Sequence, residues 1–139
     1  MKRILFDTNV VLDVLLDRQP HGEASAQAWA AVETGRAEGL LSAHAVTTIH
    51  YLIQKDIGNA KAKRLLSAIL GVFGVAVVDA AVLQEALQLP FSDFEDAVTA
   101  AAAHSAGCDC LVTRDSKGFR RSPVRVLAPE AVMPLLAQE

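Results

Sequence analysis

The patterning of this chain predicts an α/β fold: a three-layer domain on a mostly parallel, five-stranded sheet. Three observations carry that expectation. Five short apolar segments alternate with stretches of helical spacing, the pattern of strands joined by helical crossovers. Repeats, long linkers and low-complexity tails are absent from the sequence. The 139 residues are also enough to bury one continuous core without a metal or disulfide staple, so a single domain over residues 1–139 is expected.

In "ILFDTNVVLDVLL", Ile4 to Asp7 reads as the first strand, and Val10, Val11, Val14 and Leu15 recur beyond it at helical spacing. "DRQPHGE" interrupts that pattern before an alanine-rich helix from Ala24 to Thr34, ended by Gly35. Gly39 to Ser42 fits a second strand. The following "AHAVTTIHYLIQKD" is helical through Val46, Ile49, Leu52 and Ile53. After "DIGN", a helix over Ala60 to Leu70 turns Lys61, Lys63 and Arg64 to solvent. Val75 to Asp79 is a third strand, and "AAVLQEALQLP" a short helix stopped by Pro90. Asp93 opens a helix through "FEDAVTAAAAHSAG", with Gly107 as its stop. Cys110 to Asp115 and Val124 to Leu127 are the fourth and fifth strands, and Pro129 begins a last short helix.

Composition narrows the function classes. A hydrophobic content of 52% with 21% charged residues belongs to a folded, water-soluble protein. No apolar run approaches the roughly 18 residues needed to cross a bilayer. The start "MKRILFDTNV" lacks a signal peptide's long apolar region and cleavage site, so a cytoplasmic location without membrane contact is expected. Two cysteines, Cys108 and Cys110, cannot supply a four-thiolate zinc site and lack the spacing of a thioredoxin-like motif; core filling is the expectation. A net charge of −3 argues against a globally basic nucleic-acid binder but leaves local binding open. Glycine-rich phosphate loops and the Gly-x-Ser-x-Gly elbow of serine hydrolases are both missing.

In parallel sheets, ligands bind beyond the carboxyl ends of the strands, beside a change in strand order. Asp7 and Asp115 both end strands in this reading and so can face one crevice. Asp96 lies in the first turn of the "DFEDA" helix, where free backbone N–H groups favour negative charge. If the three converge, their repulsion in a region of reduced dielectric calls for a hard cation, and Mg²⁺ or Mn²⁺ on oxygen ligands answers it. Separate turn and helix caps are the competing explanation. Asn9 either orients a carboxylate or water, or caps a turn. Thr113 either hydrogen-bonds a carboxylate or phosphate, or is a plain strand residue. Asp93 is a helix cap or a supporting ligand, and Glu95 first-turn charge. Arg114, Lys117, Arg120, Arg121 and Arg125 concentrate positive charge beside Asp115, which suits a phosphate backbone, a solvated face or a partner's rim. Phe119 is expected to pack the loop among them.

Over essentially its whole length the sequence resembles PIN domains, and among them the ribonuclease toxins of bacterial toxin–antitoxin pairs. The resemblance rests on "ILFDTNVVLDVLLDR", "SAHAVTTIHYLIQK", "DFEDAVTAAAA", "CLVTRDSKGF" and "VRVLAPEAV", taken in that order. It implies a small Rossmann-like sheet whose acidic cleft holds Mg²⁺ or Mn²⁺ for phosphodiester cleavage. Asp7, Asp96 and Asp115 match the family's metal carboxylates; Asn9 and Thr113 match their polar companions. One expected residue is missing: the helix after the second strand usually carries an acid where Thr48 stands. His44, one turn earlier on the same face, is a candidate for a nitrogen ligand or a phosphate contact, and equally for a satisfied cleft histidine; His50 points elsewhere. The resemblance thus implies a metal-dependent endoribonuclease toxin with an RNA substrate, a small cognate antitoxin and a homodimeric state. The alternative is an RNA-binding or partner-binding domain whose catalysis weakened when Thr48 replaced the acid.

Overall fold

Period-two alternation along short apolar strands assigns each residue to one side of a sheet. The structure, a computed structural model, describes residues 1–138. Its strands are β1 (Arg3–Phe6), β2 (Glu38–Ser42), β3 (Gly74–Ala76), β4 (Cys110–Val112) and β5 (Arg125–Leu127), all parallel in the order β3-β2-β1-β4-β5. Between them run α1 (Thr8–Leu15), α2 (Gly22–Glu33), α3 (Ala43–Ile57), α4 (Asn59–Leu70), α5 (Ala80–Gln88) and α6 (Phe94–Ser105); a 3₁₀ turn (Pro129–Ala131) leads into α7 (Val132–Ala137).

Alternation fills both faces. Ile4, Phe6, Leu41, Cys110 and Val112 enter one core with α1, α2, α3, α4 and α7. Leu5, Leu40 and Leu111 enter a second core with α5 and α6. The first is organised by Phe73, which meets Phe6 edge-on at 5.0 Å and Trp29 at 5.1 Å between ring centroids. The second is dominated by α6, where every residue from Ala97 to Ala103 is buried. Side chains that end at or near Cβ let a helix lie close on its neighbour, which draws the acidic first turn of α6 toward the sheet edge.

Strand ends differ from the sequence expectation where side-chain hydrogen bonds redirect the backbone, at β1 and β4 just past the last inter-strand bonds, from Asp7 N–H to the Val112 carbonyl and from Thr113 N–H to the Leu127 carbonyl. β1 ends at Phe6 because the Asp7 carboxylate caps α1, accepting from Thr8 N–H at 2.9 Å. β3 ends at Ala76 rather than Asp79, and Asp79 Oδ1 instead caps α5 by accepting from Val82 N–H at 3.0 Å. β4 ends at Val112 rather than Asp115, since the Thr113 hydroxyl organises the residues beyond it. Cys110 packs in the first core while Cys108, outside the strand, packs partly against the second. Burial pushes Cys108 up to about 12 and Cys110 up to about 11, so both remain protonated thiols at neutral pH.

Chain order places the crevice. β1, β2 and β3 step outward in one direction, and β4 then returns to the other side of β1. The reversal therefore lies between β1 and β4, so the segments leaving their carboxyl ends, at Asp7 and Thr113, flank it. Arg125, by contrast, opens β5 in register with Cys110 at the amino-terminal edge of the sheet. It does not belong to the cationic group expected beside Asp115.

Gly39 in β2 is a glycine for want of space. A Cβ there would stand 2.7 and 2.8 Å from ring carbons of Phe73 and 2.8 Å from Val32 Cγ2. Phe73 is held by two rings and cannot yield cheaply, so Gly39→Ala is expected to cost about 1–3 kcal/mol through overpacking. Urea denaturation checks this; an unchanged midpoint would mean the aromatic cluster is looser than its ring spacings indicate.

Candidate functional site

The Asp7 side chain is built into two elements at once. Its Oδ1 accepts from Thr8 N–H, and its Oδ2 accepts from the Thr113 hydroxyl at 2.7 Å. Thr113, fully buried, in turn accepts from Asn9 Nδ2 at 3.3 Å and from Asp115 N–H at 3.1 Å. Asn9 Oδ1 accepts from Arg114 N–H at 3.3 Å. Four of the polar residues picked out by spacing, Asp7, Asn9, Thr113 and Asp115, thus form one connected network between β1 and β4.

Asp96 reaches the same place from α6. Asp93 caps that helix by accepting from Asp96 N–H at 3.2 Å, leaving the Asp96 carboxylate partly buried at the cleft. Gly118 shows how close the acids come. It donates its N–H to Asp115 Oδ1 at 3.2 Å, and a Cβ on it would lie 2.6 Å from Asp115 Oδ2 and 3.3 Å from Asp96 Oδ2. The two carboxylates flank one small space that only a glycine leaves open.

Burial and like charge act together on these acids. Asp96 is pushed up to about 7, first by burial, then by the charges of Asp93, Asp7, Asp115 and Glu95. Burial raises Asp7 above the ordinary carboxylate range, opposed by its bonds from Thr113 and Thr8 and reinforced by Asp115 and Glu95.

Sequence reasoning missed Asp13. It sits on α1 with no exposure, where the run "VVLDVLL" places an acid among core positions. Its Oδ1 accepts from Arg18 Nε at 3.0 Å and its Oδ2 from the Ser25 hydroxyl at 3.3 Å. Arg114 Nε pairs with the same Oδ2 at 2.5 Å, as an ion pair without hydrogen-bond alignment. Arg18 Nη2 also donates to the Asn9 carbonyl at 3.1 Å. The Arg114 guanidinium is thereby tied behind the carboxylates. An acid breaking an apolar helix face, with Arg18 close by in sequence, was the available signal.

His44 and Thr48 lie on α3, beside α6. His44 Nε2 meets the Thr99 hydroxyl at 3.3 Å, Thr99 itself donates to the Glu95 carbonyl at 3.1 Å, and the buried His44 Nδ1 has no partner among the described residues. Thr48 Oγ1 turns back to the His44 carbonyl at 3.5 Å. Neither shares a hydrogen bond with the Asp7 network. His50 instead meets Asn59 Oδ1 at 3.0 Å. Lys117, Arg120 and Arg121 are exposed and line a cavity of about 230 Å³ together with Gly118. Phe119, at 1% exposure, packs into the second core.

Residues 3–117 match the PIN domain family. The chain belongs to that family. Ribonuclease VapC1 of Aquifex aeolicus is 25% identical to this PIN domain over 134 residues, covering 93% of this chain and 92% of the relative. The FitAcB structure from Neisseria gonorrhoeae is 25% identical with a TM-score of 0.67, covering 91% of this chain and 97% of that one. A FitAB structure bound to a DNA fragment superposes with a TM-score of 0.72 at 24% identity, covering 91% and 95%.

The donor set of this PIN domain fits a hard divalent cation: carboxylate oxygens from three elements, with no thiolate or imidazole among them. Each Asp7 oxygen keeps a lone pair beyond the bond it already accepts. Among the described residues, no three His, Cys, Asp or Glu side chains are already drawn into a ligand shell. The acids stand as neighbours around the cleft.

That arrangement has a measurable cost. Because the folded Asp96 lies at about 7 against 3.8 for an unperturbed carboxyl, the unfolded chain loses this proton first as pH rises. Its contribution to stability is full below about 3.8 and is lost as pH climbs through about 7. In EDTA, urea unfolding across that window is expected to show the parent losing stability relative to Asp96→Asn. Parallel pH profiles for the two proteins would contradict it.

Proposed function

We propose that this PIN domain is a divalent-metal-dependent endoribonuclease, the toxin of a toxin–antitoxin pair working in the cytoplasm. The observation that carries the reading is the convergence of Asp7, Asp115 and Asp96 at the β1/β4 reversal, with the Thr113 hydroxyl bridging the first two. The relatives support it by their own names: one is a ribonuclease, and a further structural neighbour is a toxin–antitoxin complex from Klebsiella pneumoniae.

Asp7, Asp96 and Asp115 would hold Mg²⁺ or Mn²⁺. When bound, such an ion acidifies a water and stabilises charge on the phosphate. The chain's own residues do the rest. Thr113 and Asn9 keep Asp7 and Asp115 in register across the cleft. A cluster carboxylate orients the attacking water and accepts its proton. Lys117, Arg120 and Arg121 hold the phosphate backbone, which positions a strand without reading its sequence. Arg114, whose Nε is engaged by Asp13, steadies the turn that carries Asp115. Attack by water leaves a 5′-phosphate and a 3′-hydroxyl and needs no ribose 2′-hydroxyl, so preference for RNA rests on the family likeness. A small cognate antitoxin and a homodimeric toxin complete the reading.

Thr48 favours a second reading. No ionisable group stands where the resemblance expects an acid, and its hydroxyl is turned to its own helix. The two supporting groups expected from the sequence are otherwise engaged, Asp93 as a cap and His44 on Thr99. On that reading the domain binds RNA or a partner without cutting.

The deciding experiment is cleavage of end-labelled structured and single-stranded RNAs by purified protein with Mg²⁺, Mn²⁺ or EDTA, with Asp115→Asn as the contamination control. Metal-dependent cleavage that falls to background in Asp115→Asn is the expected result. A folded parent that binds these RNAs and cuts none of them would shift the assignment to the binding domain.

A further inference from the structure

The cavity beside the carboxylates has walls of two kinds. Lys117, Arg120 and Arg121 come from the turn after Asp115, and Pro90, Phe91 and Ser92 come from the turn between α5 and α6. None of the three cations forms an ion pair among the described residues, although acids outnumber bases in the chain as a whole. Phe91 is only partly buried. Its ring meets the buried Phe119 ring edge-on, with centroids 5.8 Å apart and planes at 80°. Phe119 thus braces Phe91 through an edge contact that does not cover the two rings face to face. Gly118 belongs to this wall and also abuts Asp115 and Asp96, so the cavity adjoins the acidic cleft.

We infer that this cavity is a nucleotide subsite: it takes the phosphate and base next to the scissile bond, the phosphate on Lys117, Arg120 and Arg121 and the base against Phe91. The assignment rests on the nuclease reading for its place along the substrate. Size supports it, since about 230 Å³ is below the roughly 300–1,000 Å³ of pockets that enclose a whole small ligand. It suits one unit of a polymer that continues out of the site. Charge supports it as well. A strand whose phosphate is drawn to the acidic cleft must offset that repulsion nearby, and arginine and lysine heads around one hollow do so. A flat apolar ring beside them is the other half of single-strand recognition, because every base has a face to stack. An acidic peptide would use the cations and gain little from the ring.

The test is fluorescence-anisotropy binding of a short labelled oligoadenylate to the full chain carrying Asp115→Asn, with Mg²⁺ present and thermal midpoints recorded for every variant. Adding Lys117→Ala with Arg120→Ala is expected to weaken binding and to flatten the salt dependence by about 0.7 log units per log salt for each phosphate no longer held. Adding Phe91→Leu, which keeps apolar bulk against Phe119, is expected to weaken binding roughly five- to a hundredfold, and Phe91→Tyr to leave it near the parent value. Unchanged affinity in Phe91→Leu, or an unchanged salt slope in the double variant, overturns the assignment. Competition by an oligoglutamate of equal charge as effective as unlabelled oligoadenylate overturns it too, in favour of an acidic-peptide site. Cleavage is read separately, with the same substitutions placed in the chain that keeps Asp115. If the parent cuts RNA and the pocket variants keep its KM, the subsite fails and the nuclease reading stands; if nothing is cut, the nuclease reading fails while the binding data still decide the cavity.

Discussion

The hydroxyl of Thr113 has one proton to give and two lone pairs to offer, and the fold uses all three. The proton goes to Asp7, and the lone pairs receive Asn9 and the backbone of Asp115. One buried oxygen therefore joins the end of β1, the first turn of α1 and the turn after β4. Those are the segments that leave the sheet at its reversal, and without the bridge Asp7 and Asp115 would keep only their local bonds from Thr8 and Gly118 N–H, with Arg114 N–H on Asn9 as the remaining side-chain tie between the segments. Behind them, Asp13 gathers Arg18, Arg114 and Ser25, and Arg18 and Arg114 reach back to Asn9. The acids in front are held by neutral donors and those cations by a buried acid behind, so the site is stiffened from two depths.

Such a cleft opposes the stability of the fold that carries it. Burial and mutual repulsion push Asp96 to about 7 and raise Asp7, so the metal-free domain holds charge where charge is unwelcome. Functional sites commonly carry strain of this kind, compensated by the scaffold or by a ligand. Here the compensation has two sources. The small-residue face of α6 seats its acidic turn firmly, and a hard cation in the cleft would convert repulsion into ligation. On the proposed nuclease reading, the neighbouring cations would serve a different need, offsetting a polyanionic strand that the acids alone would repel.

Much of this was visible in the residues themselves. Short apolar segments alternating with helical spacing disclosed the layers and the parallel sheet, because strands buried on both faces read as near-continuous apolar runs between crossover helices. Asp7, Asn9, Thr113 and Asp115 could be picked out since polar residues at the ends of apolar runs mark where strands leave the core. Strand ends were less legible: Asp79 and Thr113 look like strand continuations until their side chains are seen bonding to backbone. Asp13 was passed over because an acid at an apolar position reads as a break in amphipathicity until its arginines are placed in space. Arg125 looked adjacent to Asp115 in sequence, but a parallel strand sends its first residue to the far edge. The close approach at Gly118 depends on two segments distant in sequence, and nothing local reports it.

The proposed cation site depends on the Thr113 bridge that holds Asp7 and Asp115 together. Calorimetric titration of Mn²⁺ into the parent, Thr113→Ser and Thr113→Val tests it without relying on any substrate. Saturable binding is expected for the parent and for Thr113→Ser, and affinity about 10- to 100-fold weaker for Thr113→Val, the range seen when the group that orients a ligand is removed. Equal affinity in a folded Thr113→Val, or no Mn²⁺ binding by the parent, would contradict it.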